Sequence, residues 1–388
     1  MLLIFAPELR DELPRILDSS DLRSALSNLA RAHREGKHIL SGPATLLRQL
    51  SEASALPEDV HGTFKQLKEF ASEAEGSRKI VSYFVVIEPR EGDIHEEMEG
   101  DEARRCFRVP LAYFSDSARA QASRLVAEDG SDARVYERAA EAYLRRLGPK
   151  GLSVRSQSYG GGGDSTADAL RDHARHGPTV CIVDADHKWS SNEGEPSEGA
   201  TAANARKVTR KLAGKTMCIV YSVPCREIEN LLPCELVLEC FAVTDRGDFH
   251  QRCVRASELG LFGGGPRVDR LDLKKGLCRK DYEALSNEHP QRRYLARVFA
   301  EFRNRAPAPT RGWCGDERRC GGDEPCECVL FAGLGEGLLE CVADRLETLS
   351  AHKVGEHLLA AGQPSAPAWT AIGSLLFAWG CGYPRTRT

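Results

Sequence analysis

The sequence predicts an α/β fold in which a parallel sheet is flanked by helices, with helical regions before and after it. Three observations carry this. Strand-type and helix-type periodicity alternate from Ser123 to about residue 245. Two runs in that stretch, TVCIVDAD (Thr179–Asp186) and TMCIVYSV (Thr216–Val223), are apolar almost throughout. The 388 residues also exceed the roughly 150 expected of one domain, which leaves room for further regions on either side. Alternation at this spacing implies βαβ units, and strands with no polar face suit a sheet covered by helices on both sides.

Taken in order, the first 75 residues read as helices. Leu22, Ala25, Leu26 and Leu29 fall on one helical face, and Phe64, Leu67, Phe70 and Ala71 on another. KIVSYFVVIEP (Lys79–Pro89) is a dense β-type run, and the acidic stretch EGDIHEEMEGDE (Glu91–Glu102) is expected to be an exposed loop. Residues 1–115 therefore form an N-terminal, mostly helical region with a β segment near 79–89. Within 116–245, SRLVAED, LSVRSQSY, TVCIVDAD and TMCIVYSV are strands; SDARVYERAAEAYLRRLG, STADALRDHARHG and GATAANARKVTRKLAG are the helices between them. Residues 246–388 return to helical spacing, clearest in QRRYLARVFAEFRN and GLLECVADRLETLSAHKVGEHLLAAG, with a Cys-rich loop between and a short apolar helix after PSAPAW.

Composition narrows the class. Hydrophobic content of 41% and charged content of 28% are those of an ordinary globular protein. No run approaches the ~18 apolar residues of a membrane span, so no membrane partner is expected. The opening MLLIFAPELRDELP lacks a basic n-region, which argues against a signal peptide and for the cytoplasm. A net charge of −4 excludes a uniformly basic nucleic-acid binder; such contact must come from local patches. The 14 cysteines are expected to be reduced thiols, Cys181 and Cys218 serving as small core residues.

Functional groups of an open α/β sheet gather at the carboxyl ends of its strands. Three acidic signals fall there. Glu128 ends the first strand, Asp184 and Asp186 end the third, and Glu227 and Glu229 follow the fourth in PCREIENLLP. Side chains at i and i+2 of an extended segment point the same way, so Asp184 and Asp186 could face one ion together. Crowded carboxylates repel unless a cation sits among them or one is protonated. A hard ion such as Mg²⁺ or Mn²⁺ takes oxygen ligands, polarises a phosphoryl oxygen and activates water.

AEDGSDARVY resembles the first motif of TOPRIM domains, and CIVDADHKW resembles their DxD motif. With SYGGGG between them and CREIENLLP after them, Ser123–Pro233 is similar to OLD-related, defence-associated nucleases of the DUF4435 type. The resemblance implies a TOPRIM-like sheet and metal-dependent hydrolysis of DNA or RNA, tRNA included, as the effector of a bacterial anti-phage defence system. It makes Glu128 a general acid/base or metal ligand, and Asp184 and Asp186 metal ligands. Glu229, with Glu227 beside it, would complete the site. Asp132 could contribute or merely interact with its helix dipole, and Asn230 could equally cap a helix.

Other signals stay open on the residues alone. GGGGDST (Gly160–Thr166) joins a strand to a helix but lacks the Walker lysine, so it reads as a tight turn or a backbone approach to phosphate. OLD-type enzymes carry an ATPase, and none is visible here; an ATP-controlled system would need a separate ATPase subunit. Cys314, Cys320, Cys326 and Cys328 could hold structural Zn²⁺, form a disulfide or be a thiol-rich loop. Lys188, Lys274 and Lys275 are candidate substrate contacts, and Arg292, Arg293, Arg297, Arg303, Arg305 and Arg311 make the later part locally basic. Trp189 could contact a base or pack, and His187 could carry a proton or be exposed filler. Alternatives to the nuclease are a topoisomerase- or primase-like TOPRIM protein, and a regulatory subunit with a degenerate site. A homo-oligomer fits either case.

Overall fold

The computed structural model describes residues 1–69, 76–99, 104–149, 151–186, 188–189, 196–197, 199–242, 247–258, 261–263, 271–278, 286–287, 289, 291–295, 329–335 and 337–383. These form two compact units. The first comprises Met1–Ile182, Ala205–Tyr221 and Ala371–Thr388; the second comprises Val183–Asn204 and Ser222–Thr370. The class is α/β, with mixed sheets flanked by helices.

The first unit holds two sheets. One contains β1 (Leu2–Phe5), β2 (Ile39–Ser41), β3 (Tyr83–Glu88), β4 (His95–Glu99) and β5 (Arg104–Pro110), in the spatial order β2-β1-β3-β5-β4. β1 is parallel to β2 and β3, β3 is parallel to β5, and β4 runs antiparallel along the edge. The β segment expected near 79–89 is thus β3, and four further strands join it where the sequence reads as helix or loop or marks no strand. Four-residue apolar runs such as LLIF carry too few positions for periodicity to tell strand from helix. The acidic run expected as a loop contains β4, which pairs through charge: Arg105 bonds Glu96 at 3.1 Å and Arg108 bonds Glu97 at 2.6 Å across the ladder. The core beneath is aromatic, with Trp379 5.9 Å from Phe107 and 6.2 Å from Tyr83 between ring centroids.

The second sheet contains β6 (Arg124–Ala127), β8 (Gln157–Gly160), β9 (Thr179–Val183) and, further along the chain, β12 (Cys218–Ser222), while β7 (Ser153–Val154) stays outside it. Its order is β12-β9-β6-β8, with β6 parallel to both β8 and β9; β7 pairs instead with β15 (Cys381–Gly382). β9 is buried at every position and β12 only partly, as befits central and edge strands. The helix Gly130–Leu147 follows β6. Asp129 caps it by accepting from the amides of Ser131 (2.7 Å) and Asp132 (3.1 Å), and Asp132 returns the bond from the Asp129 amide at 3.1 Å. Asp132 is thus a capping-box residue. Gly148 ends the helix at φ +75°, a left-handed stop.

The glycine loop after β8 is a hydrogen-bonded turn. Gly161 donates to the Ala127 carbonyl (2.7 Å), and Gly162 and Gly163 donate to that of Glu128 (2.9 and 3.3 Å). Gly162 and Gly163 sit at φ +70° and +61°, where a side chain is strained. A Cβ on Gly161 would stand 2.4 Å from Thr166 Oγ1 and 2.7 Å from Thr166 Cα. Gly161→Ala is therefore expected to destabilise the protein by about 1–3 kcal/mol, read as a lower urea midpoint at unchanged m-value.

The second unit contains two antiparallel pairs, β10 (Lys188–Trp189) with β11 (Pro196–Ser197) and β13 (Gly276–Cys278) with β14 (Val329–Ala332). Its helices include Cys234–Ala242, Gly247–Glu258, Leu338–Thr348 and Ala351–Leu358. The region beyond 245 thus carries a strand pair among its helices. Among the described residues, no helix is long and apolar enough to cross a membrane.

Candidate active site

In the second unit, the segments that follow β9 and β12 run beside one another. The Val223 amide donates to the Val183 carbonyl at 2.9 Å, and the Asp186 amide to the Arg226 carbonyl at 3.0 Å. This pairing sets the DAD segment against CREIEN. Asp184 is 7% exposed, and its Oδ1 accepts from the Ile228 amide at 3.0 Å. That amide opens the short 3₁₀ turn Ile228–Leu231. Asp186 is half-buried and occupies the left-handed region at φ +47°, alone in doing so among the described non-glycine residues. Such a conformation is costly for a residue with a Cβ and recurs where a side chain must be aimed. Gly199 makes it possible. Its amide donates to the Ala185 carbonyl at 2.7 Å, and a Cβ there would come within 2.4 Å of Asp186 Cβ.

Glu227, Glu229 and Asn230 are all buried in the same turn. Asn230 is structural. Its Oδ1 accepts from the Glu227 amide at 3.0 Å and its Nδ2 donates to the Leu271 carbonyl at 3.0 Å. Glu229 is fully buried and forms an ion pair with Lys274 at 3.0 Å. Burial works against the Lys274 charge, but the carboxylates of Glu229, Glu227 and Asp184 outweigh it and hold the ammonium protonated far above neutral pH. Glu227 goes the other way. Burial first, then repulsion from Asp272 and Glu229, raises its carboxyl to about 8, and its Oε2 has no hydrogen-bond partner.

Two residues outside the sequence-level candidates shape this arrangement. Asp272 bonds Arg226 at 3.1 Å and accepts from the Lys275 amide at 2.8 Å, fixing the turn that presents Lys274. An aspartate two residues before a basic pair and four before a glycine is a turn signal that could have marked it. Gly333 is the second: a Cβ there would lie 2.1 Å from the Lys274 carbonyl oxygen. Lys275 itself is largely exposed, 3.7 Å from Asp272.

The donors suit a hard divalent cation in kind, since all are carboxylates and one buried carboxylate oxygen lacks a partner. As placed, no three His, Cys, Asp or Glu side chains among the described residues converge as an ion's ligands; the cation beside Glu229 is the Lys274 ammonium. Glu128, in the first unit, is half-buried at the end of β6, where its carbonyl anchors the glycine loop. The side chain of Lys188, together with His187, Arg297, Arg303, Arg305, Arg311, Cys314, Cys320, Cys326 and Cys328, lies outside the described residues. Set against protein-family models, curated proteins and solved structures, the chain matches none.

Proposed function

We propose that this chain is a metal-dependent nuclease that hydrolyses phosphodiester bonds of DNA or RNA, as an effector of bacterial anti-phage defence, and that its α/β domain is TOPRIM-like. The observation that carries the chemistry is that the buried Asp184 holds the buried turn bearing Glu227 and Glu229 by its Ile228 amide, with the strained Asp186 two residues on. Burying carboxylates costs several kcal/mol unless each is protonated, paired or bound to a cation, and groups perturbed in this way cluster at functional sites. Asp184 and Asp186 are the residues that would hold Mg²⁺ or Mn²⁺, with Glu227 as a further donor. Bound there, such an ion would neutralise charge on a phosphoryl group. Asp184 is oriented for this by the Ile228 amide. Lys274 neutralises Glu229 and keeps that acid from repelling an incoming phosphate. Glu128 is assigned to the same chemistry from its motif alone.

The experiment is Mn²⁺ binding by calorimetry, with cleavage of labelled DNA and RNA, for wild type, Asp184→Asn and Asp186→Asn. Each variant is expected to lose at least about tenfold in metal affinity and about 10²-fold or more in cleavage. Equal binding and cleavage by all three would overturn the assignment.

The ion pair of Lys274 with Glu229 favours a second reading, a regulatory subunit whose acidic site is degenerate and which answers to a separate ATPase. Absence of Mn²⁺ binding in the wild type, with or without nucleic acid, would select it.

A further inference from the structure

The first unit contains a cleft of about 560 Å³ that the acidic site does not use. Its walls carry Arg119, Arg171, Arg175, Lys211 and Lys215 around Leu212, and no acidic residue lines it. In a chain of net charge −4, five cations around one acid-free hollow are a local reversal of sign. Arg119 comes from the turn Ser117–Ala120, Arg171 and Arg175 from the end of the helix Thr166–Ala174, and Lys211 and Lys215 from the end of the helix Ala200–Leu212. Arg171 and Arg175 are four residues apart at the end of one helix, a like-charge spacing that costs about 0.2–0.5 kcal/mol, and Lys215 lies in the turn three residues after the other helix ends.

The neighbouring acids offset little of this. Arg171 pairs with Asp168 at 2.6 Å, but Asp168 is 70% exposed. Arg119 stands 3.8 Å from Asp116 and 4.4 Å above the Tyr113 ring. Among the described residues, Arg175, Lys211 and Lys215 have no carboxylate partner. Asp172 and the histidines 173 and 176 stand on or just after the same helix as Arg171, outside the lining of the cleft.

We infer that this cleft binds the phosphodiester backbone of a nucleic-acid strand. Its lining has the guanidinium and ammonium groups that neutralise phosphates but no aromatic ring, Asn or Gln with which to read a base. That composition suits a sequence-independent backbone track and not a mononucleotide pocket. Large apolar side chains that would enter a bilayer are also missing nearby: the exposed ones among the described residues are Met98 and Leu147, and neither lines the cleft. The inference deepens the nuclease reading by naming how substrate is held, and rests on it for the identity of the polyanion.

The test is fluorescence anisotropy of a labelled mixed-sequence 30-mer, single-stranded and duplex, in EDTA over a range of salt. The proteins are wild type, the triple variant Arg175→Gln/Lys211→Gln/Lys215→Gln, and Asp184→Asn. Circular dichroism checks that all three fold; the substituted cationic side chains are exposed, and the fold is expected to tolerate their replacement. The triple variant is expected to lose on the order of 10²-fold in affinity near 0.1 M salt, and its log–log salt slope to fall by about 2 to 3. Asp184→Asn removes a carboxylate and, in EDTA, no bound metal, so it should not weaken binding. Unchanged affinity and slope in the triple variant overturn the inference. So does tighter binding of ATP than of the 30-mer, or loss of binding to vesicles of 30% phosphatidylserine with oligonucleotide binding intact. A wild type that binds the 30-mer through these residues yet cleaves nothing in Mg²⁺ sinks the nuclease reading and leaves the cleft assignment standing.

Discussion

Lys274→Ala is expected to lower stability by about 3–5 kcal/mol at pH 7. Glu229 is fully buried, and the ammonium 3.0 Å away answers its charge. Removing that ammonium leaves a carboxylate to be either ionised without a counter-charge or protonated against its ordinary pKa. The loss belongs to the uncompensated acid more than to the pair. Replacing both partners, as Lys274→Met with Glu229→Gln, should therefore recover most of it. Urea unfolding of the single and double variants checks this. A double variant as unstable as Lys274→Ala would mean that the ion pair itself, and not the uncompensated acid, carries the loss. If Mn²⁺ can replace the lost cation, added Mn²⁺ should raise the stability of Lys274→Ala more than that of the wild type.

Much of this architecture is legible in the residues, and the gaps have physical causes. TVCIV announces a central strand because all five positions are apolar, and the structure buries all five. The Asp129–Asp132 box is readable because both partners are three residues apart. LLIF and HIL are not, since short apolar runs suit either periodicity; their strand character comes from pairing with each other and with β3. HEEME is harder still. Its stability as an edge strand is supplied by Arg105 and Arg108, residues of the next strand. Site chemistry divides the same way. That Asp184 and Asp186 end an apolar strand can be seen in the chain, but the partner of Glu229 is a lysine 45 positions on, and nothing local marks it. The cleft of Arg119, Arg171, Arg175, Lys211 and Lys215 draws on three separate segments, each giving it one or two cations, and nothing in the chain order shows that they meet.

Glu227 gives the second large effect, and its sign follows from its surroundings. Burial and the repulsion of Asp272 and Glu229 raise its carboxyl from the ordinary 4.5 to about 8. A carboxyl that holds its proton more tightly in the fold than in the unfolded chain favours the fold fully below the unfolded pKa. That advantage is lost as pH rises through the folded pKa. Between pH 4.5 and pH 8 the wild type should thus lose on the order of 3–4 kcal/mol through this one group. Glu227→Gln carries no such proton, so its stability minus that of the wild type should climb steadily over the same window. Taking the difference removes the other titrating groups, provided that both proteins unfold reversibly. A flat difference from pH 5 to pH 8.5 would show that the buried oxygen is solvated or paired. Divalent metal then discriminates between the two functional readings. An ion held by Glu227 must displace its proton, so 10 mM Mg²⁺ should flatten the wild-type pH dependence, leave Glu227→Gln unmoved and release close to one proton per ion bound at pH 7. In a degenerate site the slope would survive the metal, because the cations opposing the buried acids would still be Lys274 and Arg226.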